Sequence, residues 1–338
     1  MSWTRPHIGV IGAGAIGGIT AALIKQAGYD VEIVCKYENV ARQTNEKGLH
    51  IKGFCGDHWV PMPAVAEIKD MKADKDLILL ATKATDLVPA AQALLPLLTP
   101  DTLVVSLQNG ICEETLGEVV GHERVIGCVV GWGATMNSPG ELEMTSGGEF
   151  IIGTLDKRPE PRLQTIKEIF DQVVPCNISE NILGSLYAKL IVNSCITSLG
   201  AICGLYMGQM LADRKIRNIF IDIMHEAMAV ADAMDLHVET LGGRMNYYRF
   251  MAGSGTLAQL RRHLMIRLIG FKYRRLKSSS LQSLERGKPT EIDYLNGYIT
   301  DKARKLNVPV PVNDKVVRVI KEIEAGNRRI SPENFKTF

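Results

Sequence analysis

The first half of the chain alternates short apolar runs with longer stretches in which apolar residues recur at helical spacing. Apolar runs of strand length lie at 7–11, 31–35, 77–81, 103–106, 125–130, 141–144 and 150–153. Helical spacing follows them at 15–27, 87–98, 113–120 and 162–173. Because strands and helices that alternate in this way form a parallel sheet covered by helices, the first half is predicted to be an α/β domain.

The pattern changes after about residue 178. From Ile182 onward, good helix formers dominate and no segment reads as a convincing strand. The polar stretch 177–181 marks the boundary. We therefore expect a sheet domain over 1–178, an all-helical domain over 179–330 and a polar tail over 331–338, and the length of 338 residues is sufficient for two cores.

The turn after the first predicted strand is rich in glycine. Gly12, Gly14 and Gly17 form a G-x-G-x-x-G pattern between that strand and the first helix. The first glycine permits the tight turn, the second lets a pyrophosphate approach the backbone, and the third lets helix and strand pack closely. The alternative is a glycine-rich turn in another α/β fold. In its context the pattern predicts a Rossmann-type domain whose cofactor-binding turn comprises Gly12, Ala13, Gly14, Ala15, Ile16 and Gly17.

The end of the second predicted strand bears on the choice of nicotinamide cofactor. A carboxylate there bonds the ribose 2′-OH of NAD, whereas a basic residue accommodates the 2′-phosphate of NADP. The strand ends at Lys36, with Arg42 as a second cation, and Glu32 lies inside the strand and faces away. Lys36 favours NADP(H). In the alternative interpretation Lys36 is a solvated lysine and Glu38 takes the ribose.

Two further loops follow predicted strands at the edge where ligands of such sheets bind. Lys83 lies in one loop, and Gln108, Asn109 and Gly110 form the other. We expect Lys83 near the nicotinamide or substrate, and Asn109 in contact with the substrate or the cofactor amide. In the alternative interpretation Lys83 only caps a strand end and Asn109-Gly110 is an ordinary turn.

One apolar helix of the second half contains a lysine. Lys189, Asn193 and Thr197 are spaced by four residues, so they share one face of that helix. An unpaired buried ammonium is costly, so the lysine is paired, snorkels to the surface, or faces a polar cleft. The stripe of three polar residues favours the cleft.

A second polar concentration runs from 278 to 297 and opens a helix after Pro289. Within it, Glu291 could pair with Lys189. Alternatively it is an acidic residue of the ordinary kind that the helix dipole stabilises at a helix start. Spacing alone does not decide between these two roles.

Several of these segments together resemble the ketopantoate reductase family. The resemblance covers the chain from about residue 7 to 325 and is most specific in its C-terminal motifs. The segments are G-x-G-x-x-G at 12–17, the Lys83 loop, Gln-Asn-Gly at 108–110, Lys-Leu-x-x-Asn at 189–193, Ser-Ser-x-Leu-Gln at 278–282 and Pro-Thr-Glu-Ile-Asp-Tyr-Leu-Asn-Gly at 289–297.

This resemblance implies NADPH-dependent reduction of a 2-oxo acid, first of all 2-dehydropantoate to pantoate in pantothenate biosynthesis. It implies that Lys189 is the general acid, that Asn193 and Asn109 orient the substrate, and that Ser279 binds the substrate carboxylate. Glu291 would bond near the reacting oxygen and hold the lysine network, and Lys83 would line the nicotinamide side. It also implies a homodimer formed through the helical domain.

Two positions depart from the family pattern. The family commonly has a histidine where this chain has Gln108, and a second asparagine one turn beyond Asn193, where this chain has Thr197. Thr197 still offers a hydroxyl as a substrate-binding group, but it is shorter and branched. A different 2-oxo acid is therefore an open alternative, and so is an NADP(H)-binding sensor without turnover.

Residues 244–277 contain many basic residues and no acidic one, and the segment is longer than in typical relatives. Leucines within it fall near helical spacing, which predicts an amphipathic basic helix. Three interpretations remain: a solvated helix packed on its own domain, part of an enlarged anionic-substrate or subunit surface, or, least favoured, a membrane or nucleic-acid patch over 255–277.

Composition narrows the function classes. The 39 basic and 37 acidic residues give a net charge of +2, so nothing global indicates nucleic acid or membrane as a partner. The seven cysteines are scattered without a C-x-x-C pair, which predicts no zinc site and fits a reducing cytoplasm. The uncharged run 8–24 superficially resembles a signal peptide, but its five glycines and Lys25 argue against export.

Overall fold

The computed structural model describes residue 3, residues 5–243 and residues 245–338. Arg244, part of the predicted basic segment, lies outside the described residues. The chain folds into two compact units. The first comprises the described residues up to Gln108 together with Cys112–Leu186, and the second comprises Asn109–Ile111 with the described residues of Tyr187–Phe338. The division falls inside the helix Ile182–Cys203, which the two units share.

The first unit contains all the strands of the described part of the chain. They are β1 (His7–Ile11), β2 (Asp30–Val34), β3 (Leu49–Gly53), β4 (His58–Val60), β5 (Ala64–Val65), β6 (Leu77–Leu80), β7 (Leu103–Ser106), β8 (Val125–Val130), β9 (Gly133–Ser138), β10 (Glu141–Ser146), β11 (Phe150–Gly153) and β12 (Cys176–Ile178). The helices that accompany them are α1 (Ala15–Gln26), α2 (Glu38–Lys47), α3 (Leu87–Leu94), α4 (Glu113–Val120) and α5 (Leu163–Phe170).

The larger sheet has the strand order β12–β11–β8–β7–β6–β1–β2–β5. Strands β5, β2, β1, β6, β7 and β8 pair in parallel, and β11 runs antiparallel to β8. The central strands β6, β7 and β8 are buried along their whole length and apolar except at Ser106, as expected for a parallel sheet that is covered on both faces. Since β1 pairs with β2 on one side and with β6 on the other, the strand order reverses at β1, and ligands of such sheets bind beyond the strand ends at that point.

A smaller sheet of order β4–β3–β10–β9 was not predicted. Segment 141–144 was expected only as a strand of the first half; it is β10 of this second sheet, and β3, β4 and β9 went unnoticed. Helix α1 contacts β1 and β2 on one side and β9 and β10 on the other. A Cβ at Gly18 would lie 2.3 Å from the Leu142 Cδ1 of β10, so any larger residue there would displace this leucine side chain.

The second unit is helical, as predicted. Its helices are α6 (Ile182–Cys203, shared with the first unit), α7 (Met207–Ala212), α8 (Arg214–Ala233), α9 (Tyr247–Met251), α10 (Thr256–Lys272), α11 (Ser279–Glu285), α12 (Asn296–Leu306) and α13 (Pro311–Glu324). Helix α6 is long and apolar enough to cross a membrane, but 78% of its apolar window is buried inside the protein. It is therefore a core helix.

The last residues differ from the predicted polar tail. Pro332–Thr337 form a 3-10 helix in which Phe335 is buried. The Asn334 side chain donates hydrogen bonds to the carbonyl oxygens of Ile202 and Arg329, which attach this segment to the end of α6. The predicted polar tail therefore contains one buried aromatic residue, Phe335, and one buried amide, Asn334.

Candidate active site

The glycine turn after β1 has the geometry that a dinucleotide requires. Gly12 has φ of +112°, and a Cβ there would lie 2.8 Å from the carbonyl oxygen of Ala81. A Cβ at Gly17 would lie 2.1 Å from the carbonyl oxygen of Gly12, so only glycine permits this packing of helix against turn. At Gly14, which precedes α1, no atom lies within 4 Å of where a Cβ would be. The backbone is therefore tightly packed at Gly12 and Gly17, and there is open space beside Gly14 at the start of α1.

This turn fits the pyrophosphate of a dinucleotide. The first turn of α1 contains no acidic residue, so its N–H groups and the positive end of its dipole face no competing carboxylate. Ala13, Ala15 and Ile16 complete the turn as half-buried residues without charge. The turn follows β1, the strand at which the sheet order reverses, which is where such folds bind nucleotides.

Lys36 follows β2 in the left-handed backbone region, with φ of 69°. Its ammonium donates to Asp86 Oδ2 at 3.0 Å, and this hydrogen bond raises the pKa of Lys36 above its ordinary value. Arg42 and Glu38 are exposed on the following helix α2. Glu32 points elsewhere, because its carboxylate lies 3.2 Å from Lys75 Nζ. The strand end therefore presents a lysine already in contact with an exposed carboxylate.

Gln108 connects two loops at the carboxyl ends of neighbouring strands. Its side-chain amide donates to Thr82 Oγ1 at 2.9 Å and to the carbonyl oxygen of Lys83 at 3.1 Å. The Gln108 side chain is buried, whereas Lys83 is exposed. Sequence reasoning missed this positioning role. The signal that could have revealed it is an amide placed directly after β7, beside the loop that follows β6.

The polar stripe on α6 reaches the surface of the second unit at one end only. Lys189 and Asn193 are half-buried on a helix whose neighbouring residues Leu190 and Ile191 are buried. Thr197 is 7% exposed, and its hydroxyl donates to the carbonyl oxygen of Asn193 at 2.7 Å. The stripe thus offers an ammonium and an amide at the surface, while the donor capacity of Thr197 is used within the helix.

Asn109 and Glu291 come together in the second unit, although 182 positions separate them in the chain. The Asn109 amide lies 3.5 Å from Glu291 Oε2 and donates to it. Gly110 has φ of +87°, and a Cβ there would lie 2.3 Å from the carbonyl oxygen of Tyr294. Because only glycine permits this approach, the loop 109–111 is held against the 3-10 turn Ile292–Tyr294 that follows Glu291.

Ser278 and Ser279 have different environments. Ser278 caps α11, accepting from the Leu281 N–H at 3.2 Å and donating to the Thr197 carbonyl oxygen at 3.1 Å. Ser279, the predicted carboxylate-binding residue, is exposed at the first position of α11. Sequence reasoning did not assign the anchoring role to Ser278. An N-cap serine before an apolar run is the signal that could have indicated it.

The predicted residues are distributed between the two units. The glycine turn, Lys36 and Lys83 belong to the first unit. Lys189, Asn193, Thr197, Ser279, Glu291 and Asn109 belong to the second. Among the residues that the structure describes, no three His, Cys, Asp or Glu side chains form a group able to hold a metal ion. The first unit thus carries the glycine turn, and the second carries Lys189 together with the Asn109–Glu291 hydrogen bond.

Two family models match the chain. The model described as "Ketopantoate reductase PanE/ApbA" matches residues 8–157, and "Ketopantoate reductase PanE/ApbA C terminal" matches residues 181–324. The chain is 29% identical to the "2-dehydropantoate 2-reductase" of Pyrococcus horikoshii over 327 residues, covering 94% of this chain and 97% of that protein. Together these matches extend over both units.

Solved structures agree with this result. The "PanE/ApbA family ketopantoate reductase from Ralstonia eutropha JMP134" superposes with a TM-score of 0.80 at 29% identity, over 96% of this chain and 100% of that one. A ternary complex of D-mandelate dehydrogenase with NADH and anilino(oxo)acetate shares the fold, with a TM-score of 0.79 at 23% identity over 95% and 99% of the two chains. Both the resemblance and the enzyme class inferred from the sequence are confirmed. The chain belongs to the ketopantoate reductase family of oxidoreductases.

Proposed function

We propose that this protein reduces a small 2-oxo acid to the 2-hydroxy acid with NADPH, and that 2-dehydropantoate is its first candidate substrate. The observation that carries the proposal is a half-buried lysine, Lys189, one helical turn from the half-buried Asn193, on a helix that is otherwise mostly buried. A fixed cation and amide at the surface of a rigid helix are groups that bind and polarise a carbonyl oxygen.

The chemistry requires a hydride and a proton. NADPH, when bound, supplies the hydride from C4 of its nicotinamide to C2 of the oxo acid, and negative charge develops on the former carbonyl oxygen. Lys189 stabilises that charge and delivers its proton to the oxygen, then recovers a proton from solvent. Asn193 and Asn109 orient the substrate, and Glu291 fixes Asn109 through the hydrogen bond between their side chains.

Lys36 supports the choice of NADPH. It lies two residues after the end of β2, where a basic side chain accommodates the 2′-phosphate, and the Glu32 carboxylate is paired with Lys75. In the proposed complex the phosphate takes the place of Asp86 as the partner of Lys36, and Arg42 assists. Lys83 lines the nicotinamide side of the site. Lys36→Glu should then weaken NADPH binding about tenfold or more while affecting NADH much less; equal effects on both cofactors contradict the phosphate role.

One observation favours a second candidate, a 2-oxo acid other than 2-dehydropantoate. Thr197 stands where the family commonly has asparagine, and its hydroxyl donates to the Asn193 carbonyl oxygen. It can still accept a hydrogen bond but has no proton to give to a substrate oxygen. Ser279 is proposed to bind the carboxylate that all 2-oxo acids share, so the two candidates differ only at the other end of the substrate. We place the protein in the cytoplasm, consistent with its seven scattered cysteines, which include no C-x-x-C pair.

The deciding experiment follows NADPH oxidation with a panel of 2-oxo acids, including 2-dehydropantoate, a branched aliphatic acid and an aromatic acid. Consumption of any member supports the proposed reaction, and the ratio of kcat/KM values identifies the substrate. Thr197→Asn serves as a matched variant and should shift the preference toward 2-dehydropantoate. Tight NADPH binding without consumption of any member would instead support a nucleotide sensor.

A further inference from the structure

Glu324, the last residue of α13, contacts the segment that carries Glu291. Its Oε1 accepts two hydrogen bonds from Thr290, one from the backbone N–H at 2.7 Å and one from the side-chain hydroxyl at 2.7 Å. The Glu324 side chain is 14% exposed and Thr290 is 2% exposed. Hydrogen bonds to a carboxylate are stronger than those between neutral groups, and shielding from water strengthens them further. Glu324 therefore fixes Thr290 firmly to α13.

Thr290 extends this contact to the backbone on both sides of Glu291. While the Thr290 hydroxyl donates to Glu324, its oxygen accepts a hydrogen bond from the Ile292 N–H at 3.2 Å. The backbone N–H groups immediately before and immediately after Glu291 are thus both hydrogen-bonded in one arrangement. The Glu291 side chain consequently extends from a backbone that Glu324 and Thr290 hold in place.

A second contact between α13 and this segment is weaker. Lys321, one helical turn before Glu324, pairs with Asp293 of the 3-10 turn that follows Glu291. Both side chains are about half exposed, and ion pairs in water contribute little to the position of a backbone. Glu324 is therefore the stronger of these two attachments to α13.

The far end of the same segment is attached through buried amides. Asn296 is 0% exposed, and its Nδ2 donates to Asn313 Oδ1 of α13 at 2.9 Å. Its Oδ1 accepts from the Ser198 hydroxyl of α6, the helix that carries Lys189. The segment 290–296 is thus attached at its start by Glu324 and at its end by α6 and α13. An attachment at both ends leaves little freedom for the residues between them.

The position of Glu324 is not explained by its own helix. The C-terminal end of a helix carries the negative end of the helix dipole, so a carboxylate there is unfavourable and a cation is preferred. The two donors of Thr290 offset this cost. The glutamate is therefore best explained by its contact with the segment that carries Glu291.

We propose that Glu324 is a positioning residue of the active site. Through Thr290 it holds Glu291 where the Glu291 carboxylate accepts the hydrogen bond of the Asn109 amide. Glu324 itself touches neither substrate nor cofactor. Its effect on turnover rests on the proposed function, in which Asn109 orients the 2-oxo acid.

The first test compares variants that remove the contact with variants that keep it. Glu324→Leu and Thr290→Val should each lower kcat/KM for the 2-oxo acid about tenfold or more, because Asn109 is no longer held in position. The Kd for NADPH should not change, since the glycine turn belongs to the first unit. Glu324→Gln keeps an acceptor oxygen and Thr290→Ser keeps the hydroxyl, so both should retain at least about half of the wild-type kcat/KM.

A matched control makes the same chemical change at another position of α13. Glu322 lies two residues before Glu324, and its carboxylate pairs with Arg328 instead of Thr290. Glu322→Leu should leave kcat/KM within about twofold of the wild-type value. Wild-type kcat/KM in Glu324→Leu, or an equal loss in Glu322→Leu, overturns the proposal.

The second test is a double-mutant cycle with Glu291. In a Glu291→Ala background, Glu324→Leu should lower kcat/KM by less than about twofold, because the side chain that it positions is already absent. Its effect on the thermal unfolding midpoint should be the same in both backgrounds. Full additivity of the two losses in kcat/KM would mean that Glu324 acts other than through Glu291, and it overturns the proposal.

The third test needs no turnover. The ¹⁵N side-chain amide signals of Asn109, assigned by their loss in Asn109→Ser, are recorded without substrate. Glu291→Gln changes the acceptor of this amide and should shift the signals; Glu324→Leu should shift them too, whereas Glu322→Leu should not. Unshifted Asn109 signals in Glu324→Leu overturn the positioning role. A wild-type protein that consumes NADPH with no 2-oxo acid would reject the proposed function, and the Asn109 signals would still decide on Glu324.

Discussion

Helices α6 and α10 of the second unit differ in how their side chains relate to burial. Helix α6 carries polar residues in a mostly buried helix, and α10 carries apolar residues on an exposed face. In α6, Lys189 and Asn193 interrupt a helix that is otherwise mostly buried. In α10, leucines such as Leu264 project into solvent from a basic helix. A polar group in a core and an apolar group in water are both unfavourable unless something else contacts them. The unusual side chains are thus polar within a mostly buried helix in α6 and apolar on an exposed helix face in α10.

The two helices also differ in what fixes their orientation. Helix α6 is tied by polar anchors: the Tyr187 hydroxyl donates to the Ala227 carbonyl oxygen, and the Tyr247 hydroxyl donates to the Ala188 carbonyl oxygen. Helix α10 is held by the small residue Gly270 and by Ile266 on its inner face. Amphipathic spacing alone therefore does not tell which face of a helix is covered. Close approach at a glycine can outweigh a longer leucine stripe.

The largest expected effect is on α6. Lys189→Ala should lower kcat by about 10³-fold or more, because charge stabilisation and proton delivery are lost together, while the Kd for NADPH stays nearly unchanged. Lys305→Ala, which removes an exposed lysine of α12, is the control and should retain full activity. Steady-state kinetics and a cofactor titration measure both quantities. Lost cofactor affinity with unchanged turnover would contradict the role assigned to Lys189.

The next effect separates the two faces of α10. Ile266→Glu buries a carboxylate at a position of 0% exposure and should reduce the free energy of unfolding by about 3 kcal/mol or more. Leu264→Glu, on the opposite face, should change the stability of the monomer by no more than about 0.5 kcal/mol. Urea unfolding of both variants at low protein concentration provides the measurement. Similar losses for both variants would mean that the exposed stripe contributes to the fold of its own chain.

Much of the large sheet could be predicted because the sequences of buried parallel strands are continuous apolar runs. Strands β1, β7, β8 and β11 have the predicted bounds, as does α4. The smaller sheet could not be predicted in the same way. Strand β9, Gly133–Ser138, alternates neither polarity nor burial, and its last three residues are exposed. Its pairing with β10 depends on contacts that no local pattern encodes.

The sequence singles out candidate site residues one by one, but it does not give the contacts between them. The sequence singled out Asn109 and Glu291 separately, and their hydrogen bond depends on the close approach of Gly110 to Tyr294, which only the fold reveals. Thr197 was expected to contact the substrate, and a stripe at i+4 spacing cannot show that its hydroxyl donates to the Asn193 carbonyl oxygen. On α10 the helix was predicted, but the covered face depends on α7 and α8.

A smaller effect tests the polar anchoring of α6. Tyr247→Phe removes the hydroxyl that donates to the Ala188 carbonyl oxygen and should reduce stability by about 1 kcal/mol, since one buried hydrogen bond is lost. Because Ala188 precedes Lys189, kcat should also fall severalfold with little change in KM. Tyr37→Phe, at a 58% exposed tyrosine of the first unit, is the control. An unchanged kcat together with the stability loss would limit Tyr247 to a structural role.

The smallest effect concerns Gln108, a buried polar residue whose hydrogen bonds are satisfied within its own unit. Gln108→Met keeps the volume but removes the donor to Thr82 and to the Lys83 carbonyl oxygen, so stability should fall by about 1 kcal/mol. The Kd for NADPH should rise only about threefold, because Gln108 positions the Lys83 loop without itself binding the cofactor. Gln164→Met, at an exposed amide of α5, should alter neither quantity. A loss of cofactor binding as large as that expected for Lys36→Glu would instead place Gln108 in direct contact with the cofactor. Hydrogen bonds within its own unit would then not show that a buried polar residue has a purely structural role.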